Sequence, residues 1–184
     1  MTAERARLQV MISAIIDAAT AENPMFNVVL VEPEIPPNTG NIGRLCLATG
    51  STLHLVKPLG FSIDDRALKR AGLDYWKEVD VELWDSFAEL AAQHPSGRFF
   101  FLTTKSKRAY YDVSFRPGDF LVFGRETKGL PESLLARHRE ELLTIPMRGT
   151  RSLNLATAVG IVLFEAVRQI AGTTAETAVT TPVE

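Results

Sequence analysis

Hydrophobic positions along the chain follow two alternating rhythms. Short runs rich in β-branched and aromatic residues predict strands at Phe26–Glu32, Leu53–Val56, Val79–Leu83, Arg98–Thr103, Phe120–Phe123 and Leu142–Ile145. Between them, 3.6-residue spacing and cap signals predict helices. These lie at Gly40–Thr49, at Asp65–Ala71, behind Asp85 or Ser86 as far as His94, after Pro131, and from Leu153 to Ile170. Strands that alternate with helices imply an α/β fold, with helices packed around a largely parallel sheet.

Both ends read differently from this middle. Leu8, Met11, Ile12, Ile15, Ile16 and Ala19 recur at helical spacing before the breaker Asn23-Pro24, so residues 1–24 form a helical extension. Glu4 and Asp17 interrupt what a signal peptide or an organellar presequence would keep free of acids. The Thr/Ala-rich residues 171–184 lack apolar periodicity and read as a disordered tail. The expected division is an extension at 1–24, a globular domain at 25–170 and a tail at 171–184.

Composition narrows the class. A chain of 184 residues, 46% of them hydrophobic, suits one domain that buries its own core. A single cysteine excludes a disulfide framework and any multi-cysteine metal site, and it suits a reducing compartment, here the cytoplasm. No apolar run reaches the length of a membrane span, so no membrane partner is expected. The net charge of −2 argues against a protein that coats nucleic acid by bulk charge. Local balance differs: residues 98–151 hold 11 basic and 6 acidic side chains, interleaved with Tyr110, Tyr111 and Phe115. That asymmetry points to an anionic partner, although solvated loop and helix faces would carry the same charges.

In a parallel sheet, ligands bind in the loops beyond the carboxyl ends of the strands. Three such loops stand out. The first strand leads into Pro36-Pro37-Asn38-Thr39-Gly40-Asn41-Ile42-Gly43-Arg44, where a helix start exposes free N–H groups one turn before a guanidinium. A capped helix with a surface arginine fits the same residues. A late strand leads into Phe123-Gly124-Arg125-Glu126-Thr127-Lys128-Gly129-Leu130, whose glycines permit close backbone approach. The last strand leads through Ile145-Pro146-Met147 to Ser152-Leu153-Asn154 at the start of the closing helix, where Ser152 and Asn154 also suit simple capping. His54, His94 and His138 lack metal-ligand spacing, Cys46 sits among apolar neighbours, and Trp76 and Trp84 read as packing.

Taken together and in order, N-x-G-N-x-x-R, F-G-x-E-x-x-G-L and I-P-M…R-S-L-N-L-A-x-A-V resemble the SpoU branch of the SPOUT RNA 2′-O-methyltransferases. The run VEPEIPPNTGNIGRLCLATG and the later AGLDYW are similar to its TrmL-type subfamily, which acts on cytidine or uridine 34 of tRNA. The resemblance covers about Phe26 to Gln169 and implies a SPOUT α/β knot, a carboxyl-terminal trefoil knot that topology rules alone would not propose. It also implies a homodimer, S-adenosylmethionine as methyl donor, no metal, and tRNA as partner, with leucine isoacceptors methylated at the wobble nucleotide.

Carried over by motif, Arg44, Asn38, Glu126 and Asn154 match the catalytic-site positions. Leu102, Gly124, Ile145, Ser152 and Leu153 match the cofactor contacts. Two other readings stay open on the sequence: a 2′-O-methyltransferase of another tRNA position or of ribosomal RNA, and a non-enzymatic RNA-binding module.

Overall fold

The structure is a computed structural model and describes residues 24–62 and 74–179. The helices expected at 8–19 and 65–71 lie outside the described residues, as do residues 180–184. Six strands form one sheet: β1 (Asn27–Val31), β2 (Thr52–Val56), β3 (Val81–Trp84), β4 (Phe99–Leu102), β5 (Phe120–Phe123) and β6 (Leu142–Leu143). Their order is β3-β2-β1-β5-β4-β6 and every pairing is parallel. Among the described residues, four helices cover the faces: α1 (Pro36–Thr49), α2 (Phe87–Gln93), α3 (Glu132–Arg137) and α4 (Leu155–Val179).

Every residue of β1, β2 and β5 is buried. This is what a parallel strand covered on both faces requires, and it explains why these segments read as unbroken apolar runs. Alternation sorts their side chains between two cores. Val28, Leu30, Leu53, Leu55, Leu121 and Phe123 face α1 and α4, where Ile42, Cys46, Val159 and Leu163 meet them. Val29, Val31, Val56, Phe101 and Val122 face the other way, against Leu90 of α2 and Leu135 of α3. Edge strand β3 is only half covered, with Glu82 and Leu83 exposed.

Local signals set several boundaries. Pro36 and Pro37 occupy the first turn of α1, and Gly50 at φ 62° ends it by donating to Cys46 and Leu47 carbonyls. The Ser86 hydroxyl accepts from the Glu89 N–H and starts α2 as expected. The closing helix differs from expectation: α4 runs through Val179, nine residues past the predicted end at Ile170. Ala171, Ala175, Glu176 and Ala178 favour helix intrinsically, so loss of the apolar stripe does not by itself stop the helix. Three short 3-10 turns at Asp74–Glu78, Tyr110–Asp112 and Arg139–Glu141 carried no periodic signal. Among the described residues no helix is long and apolar enough to cross a membrane.

The tryptophans and Cys46 act in packing. Trp76 lies so close over α1 that a Cβ at Gly43 would come within 2.8 Å of its ring. Cys46 is fully buried, and burial pushes its thiol well above the ordinary range. Trp84 Nε1–H donates to His54 Nδ1 at 3.0 Å, while His54 Nε2 lies 2.9 Å from Asn27 Oδ1. Accepting at Nδ1 leaves the proton on Nε2, where it is donated to Asn27, so the buried ring is held neutral. The Glu82 carboxylate, 3.3 Å from Nδ1, is half exposed.

Burial, with the nearby His94 adding to it, lowers the His54 pKa from 6.5 to about 3. The unfolded chain therefore takes up a proton in this window that the folded chain does not. Stability is predicted to fall as pH drops from 6.5 toward 3, by about 1.4 kcal/mol per pH unit from this group. Chemical denaturation across that range should show a shallower slope for His54→Phe than for the parent. Equal slopes would contradict this account of His54.

Candidate functional site

The strand order reverses between β1 and β5: β2 and β3 lie on one side of β1, and β5, β4 and β6 on the other. Such a switch point opens a crevice beyond the carboxyl ends of the strands. A cleft of about 500 Å³ lies there. Its walls come from the segments after β1, β4, β5 and β6 and from the start of α4.

β1 and β5 are neighbours, so the chains that leave them meet at once. The Glu126 carboxylate accepts from the backbone N–H groups of Glu34 at 2.9 Å and Ile35 at 3.2 Å, and from Asn38 Nδ2 at 3.0 Å. Asn38 Oδ1 in turn accepts from Asn154 Nδ2 at 2.9 Å. Asn154 Oδ1 accepts from the Thr157 N–H at 3.2 Å and so caps α4.

This relay has one polarity. A carboxylate only accepts, which turns the Asn38 amide nitrogen toward Glu126 and its oxygen toward Asn154. The Thr157 N–H only donates, which demands the Asn154 oxygen at the other end. Both amides are thereby oriented by groups that cannot reverse.

Gly124 makes the approach possible. A Cβ there would overlap the Gly129 carbonyl carbon and the Leu130 nitrogen, so a larger residue would lift the 125–129 loop. The loop closes through paired backbone hydrogen bonds between Arg125 and Gly129, with Gly129 at φ 66°, a conformation glycine adopts without penalty.

A second set of contacts went unseen in the sequence. The Glu34 carboxylate accepts from both the N–H and the hydroxyl of Thr127, and the Thr127 hydroxyl is the first cause of its lowered pKa. The Arg125 guanidinium pairs with Glu32. The only advance signal was charge: E-P-E after β1 faces R-E-T-K after β5.

The structure brings most of the sequence-predicted residues together. Asn38, Glu126 and Asn154 line the cleft, and so do Leu102, Gly124, Ile145, Ser152 and Leu153. Thr103, Thr104, Lys105, Leu130 and Met147 line it as well, without having been predicted. Arg44 stands apart. It is exposed on α1, outside the described lining, with its guanidinium 4.2 Å from the centre of the Tyr75 ring. The Tyr75 hydroxyl donates to the Gly40 carbonyl at 3.0 Å, which fixes the ring against α1. Tyr110 and Phe115 pack with the first core, whereas Tyr111 is 55% exposed.

Comparisons with known proteins find relatives by sequence and by fold. The sequence model of the SpoU rRNA Methylase family matches residues 25–164. A tRNA (cytidine(34)-2'-O)-methyltransferase from Burkholderia ambifaria is 51% identical over 150 residues, which are 79% of this chain and 96% of the relative. A solved structure from work on the 2-OH methylation of C/U34 on tRNA is 48% identical with a TM-score of 0.76, covering 81% of this chain and 98% of that one. An AdoMet-bound rRNA methyltransferase from Sinorhizobium meliloti is 26% identical with a TM-score of 0.67, covering 85% of this chain and 60% of that one.

The relay predicts a cost for a nearly isosteric change. In Glu126→Gln an amide N–H₂ must face a donor at Glu34, Ile35 or Asn38, which leaves a partly buried donor unsatisfied. A loss of about 1–3 kcal/mol in equilibrium unfolding is expected. Unchanged stability would show that the carboxylate is not needed as an acceptor there.

Proposed function

The chain belongs to the SpoU rRNA Methylase family, and from that premise we propose that it methylates the ribose 2′-hydroxyl of the wobble nucleotide 34 of tRNA. Leucine isoacceptors are the proposed substrates and S-adenosylmethionine the proposed methyl donor. The observation that carries this reading is the fixed-polarity relay Glu126–Asn38–Asn154 on the wall of a cleft built from strand ends. Relatives about half identical to this chain, and named for nucleotide 34, support the target.

The cleft fits the methyl donor by its own chemistry. Leu102, Ile145 and Leu153 offer apolar walls, and Gly124 keeps the 125–129 loop low enough to present backbone polar groups. These residues, with Ser152, would hold the adenosyl and methionine parts. When bound, S-adenosylmethionine supplies a methyl on a positively charged sulfur, to which the ribose 2′-oxygen bonds as the carbon–sulfur bond breaks and S-adenosylhomocysteine leaves. No step calls for a metal, since the leaving group is already activated and most of the demand falls on proximity and orientation.

In this reading the chain's own residues position and neutralise. Asn38, Glu126 and Asn154 set the shape of the wall against which the ribose lies. Arg44 binds the phosphate beside the target ribose and stabilises the negative charge that develops on the 2′-oxygen. A guanidinium stays protonated, so Arg44 is no general base; the proton passes toward that phosphate. Arg44 lies on the same helix as Asn38, with its guanidinium over the Tyr75 ring.

The same reading includes a homodimer. Phe164 of α4 is 48% exposed, and Ile161 on that helix and Leu45 on α1 are only half covered. An apolar face of this kind on a small domain suits a symmetric partner. The reading also takes residues 25–170 as a knotted domain with dispensable ends, and places the enzyme in the cytoplasm without a membrane partner.

The deciding experiment is methyl transfer from labelled S-adenosylmethionine to a tRNA transcript, followed by mapping of 2′-O-methyl groups. A single modified position at nucleotide 34 is expected. Modification at another tRNA position, or of ribosomal RNA alone, would overturn the target, and absence of transfer would favour a binding module. Arg44→Ala should lower the single-turnover rate by about 100-fold or more while leaving S-adenosylmethionine affinity unchanged. A near-normal rate in Arg44→Lys would show that the planar guanidinium is not required.

A further inference from the structure

A second cavity, of about 370 Å³, opens beside the cleft, between α2 and α3 at the ends of β1 and β2. The two spaces share a wall. Leu135 of α3 lines the cleft, whereas Leu134 and Arg137 of the same helix line the second cavity. The Arg125–Glu32 ion pair belongs to that wall as well, with Arg125 on the cleft side and Glu32 on the cavity side. Glu32 adopts φ 55°, a left-handed conformation uncommon outside glycine, as the chain turns out of β1.

We propose that this second cavity receives the base of a nucleotide flanking the methylated one, the RNA strand crossing over the Glu32–Arg125 pair. The inference rests on the methyltransferase reading of the cleft. Val31, Val56, Phe87, Ala88, Ala91 and Leu134 form the apolar part of its lining. His138 completes one side, stacked at 4.3 Å on Phe101 and set edgewise to Phe87 at 6.0 Å, so its ring is fixed in place.

Polar groups complete the lining. Lys57 is paired with Asp85, the Ser86 hydroxyl oxygen caps α2, and Arg137 has no acidic partner among the ion pairs described. Apolar faces with a polar edge and cationic groups outside suit a flat heterocycle attached to a phosphodiester. Single-stranded RNA is recognised in this way, by unstacked bases inserted into such sites. An aliphatic occupant would leave Arg137 without an anionic partner, whereas the phosphodiester beside a bound base would supply one.

The test uses the full chain and an anticodon stem-loop carrying 2-aminopurine at each position flanking the methylated nucleotide in turn. Binding to the parent protein should change the fluorescence at one flanking position. Ala88→Phe, which fills the cavity from an exposed helix position, should abolish that change. It should also raise KM for the RNA about tenfold, with S-adenosylmethionine affinity unaltered. If Ala88→Phe fails to fold by thermal melting, Arg137→Gln replaces it and should reduce the salt dependence of RNA binding by about one counterion.

A parent enzyme that transfers methyl groups while no flanking base responds would overturn the pocket and leave the proposed reaction standing. A flanking-base response without methyl transfer would support the pocket and overturn the reaction. Binding of free nucleoside, with RNA affinity unchanged in Ala88→Phe, would also overturn it.

Discussion

One oriented hydrogen-bond relay holds the candidate site in register. It begins at a carboxylate that can only accept, passes through two side-chain amides, and ends on the first turn of α4, whose backbone can only donate. The relay joins residues 34–38 after β1, the loop after β5 and the helix that follows β6, three segments far apart in sequence. Because its ends fix the direction of every bond between them, the amides present one arrangement to the cleft rather than two. Asn38 is buried at the centre of the relay and Asn154 exposed at its end, so the direction is set by what each partner can donate or accept.

The sheet makes the relay possible. Parallel pairing of β1 with β5 sends two chains out of the same edge side by side, so Glu126 reaches the backbone of Glu34 and Ile35 without a long connection. Gly124 lets the loop descend, and the Thr127–Glu34 and Arg125–Glu32 contacts clamp it from outside. Packing on the other side of the same segments opens the second cavity, so one wall serves both spaces. The chemistry expected of the family then asks little of individual residues beyond orientation and charge, which suits a site with neither a nucleophilic thiol nor a free histidine in the cleft lining.

Much of this was legible in the residues. The apolar runs at Phe26–Glu32, Leu53–Val56 and Phe120–Phe123 announce strands, and their unbroken apolar character reflects the cover on both faces of β1, β2 and β5. Eight of the nine predicted site residues line one cleft, since they sit directly after strand ends or at the start of α4. Arg44 does not, because it lies six residues beyond Asn38, about one and two-thirds turns, and emerges on a different side of α1, over Tyr75. The Glu34–Thr127 clamp was hidden because its partners are 93 positions apart and neither carries a periodic signal. The extra length of α4 carries no periodic signal, because the apolar stripe ends before the helix-favouring composition does.

The most direct measurement of the relay is a double-mutant cycle on single-turnover methyl transfer, using Glu126→Gln, Asn154→Asp and the pair. Glu126 and Asn154 communicate through Asn38 in the relay. Each single change places like groups face to face, whereas the pair permits Asn38 to reverse, donating to Asp at 154 and accepting from Gln at 126. The predicted result is a double variant less impaired than the sum of the singles by about 1 kcal/mol or more. Additive losses, within about 0.5 kcal/mol, would contradict a relay of fixed polarity.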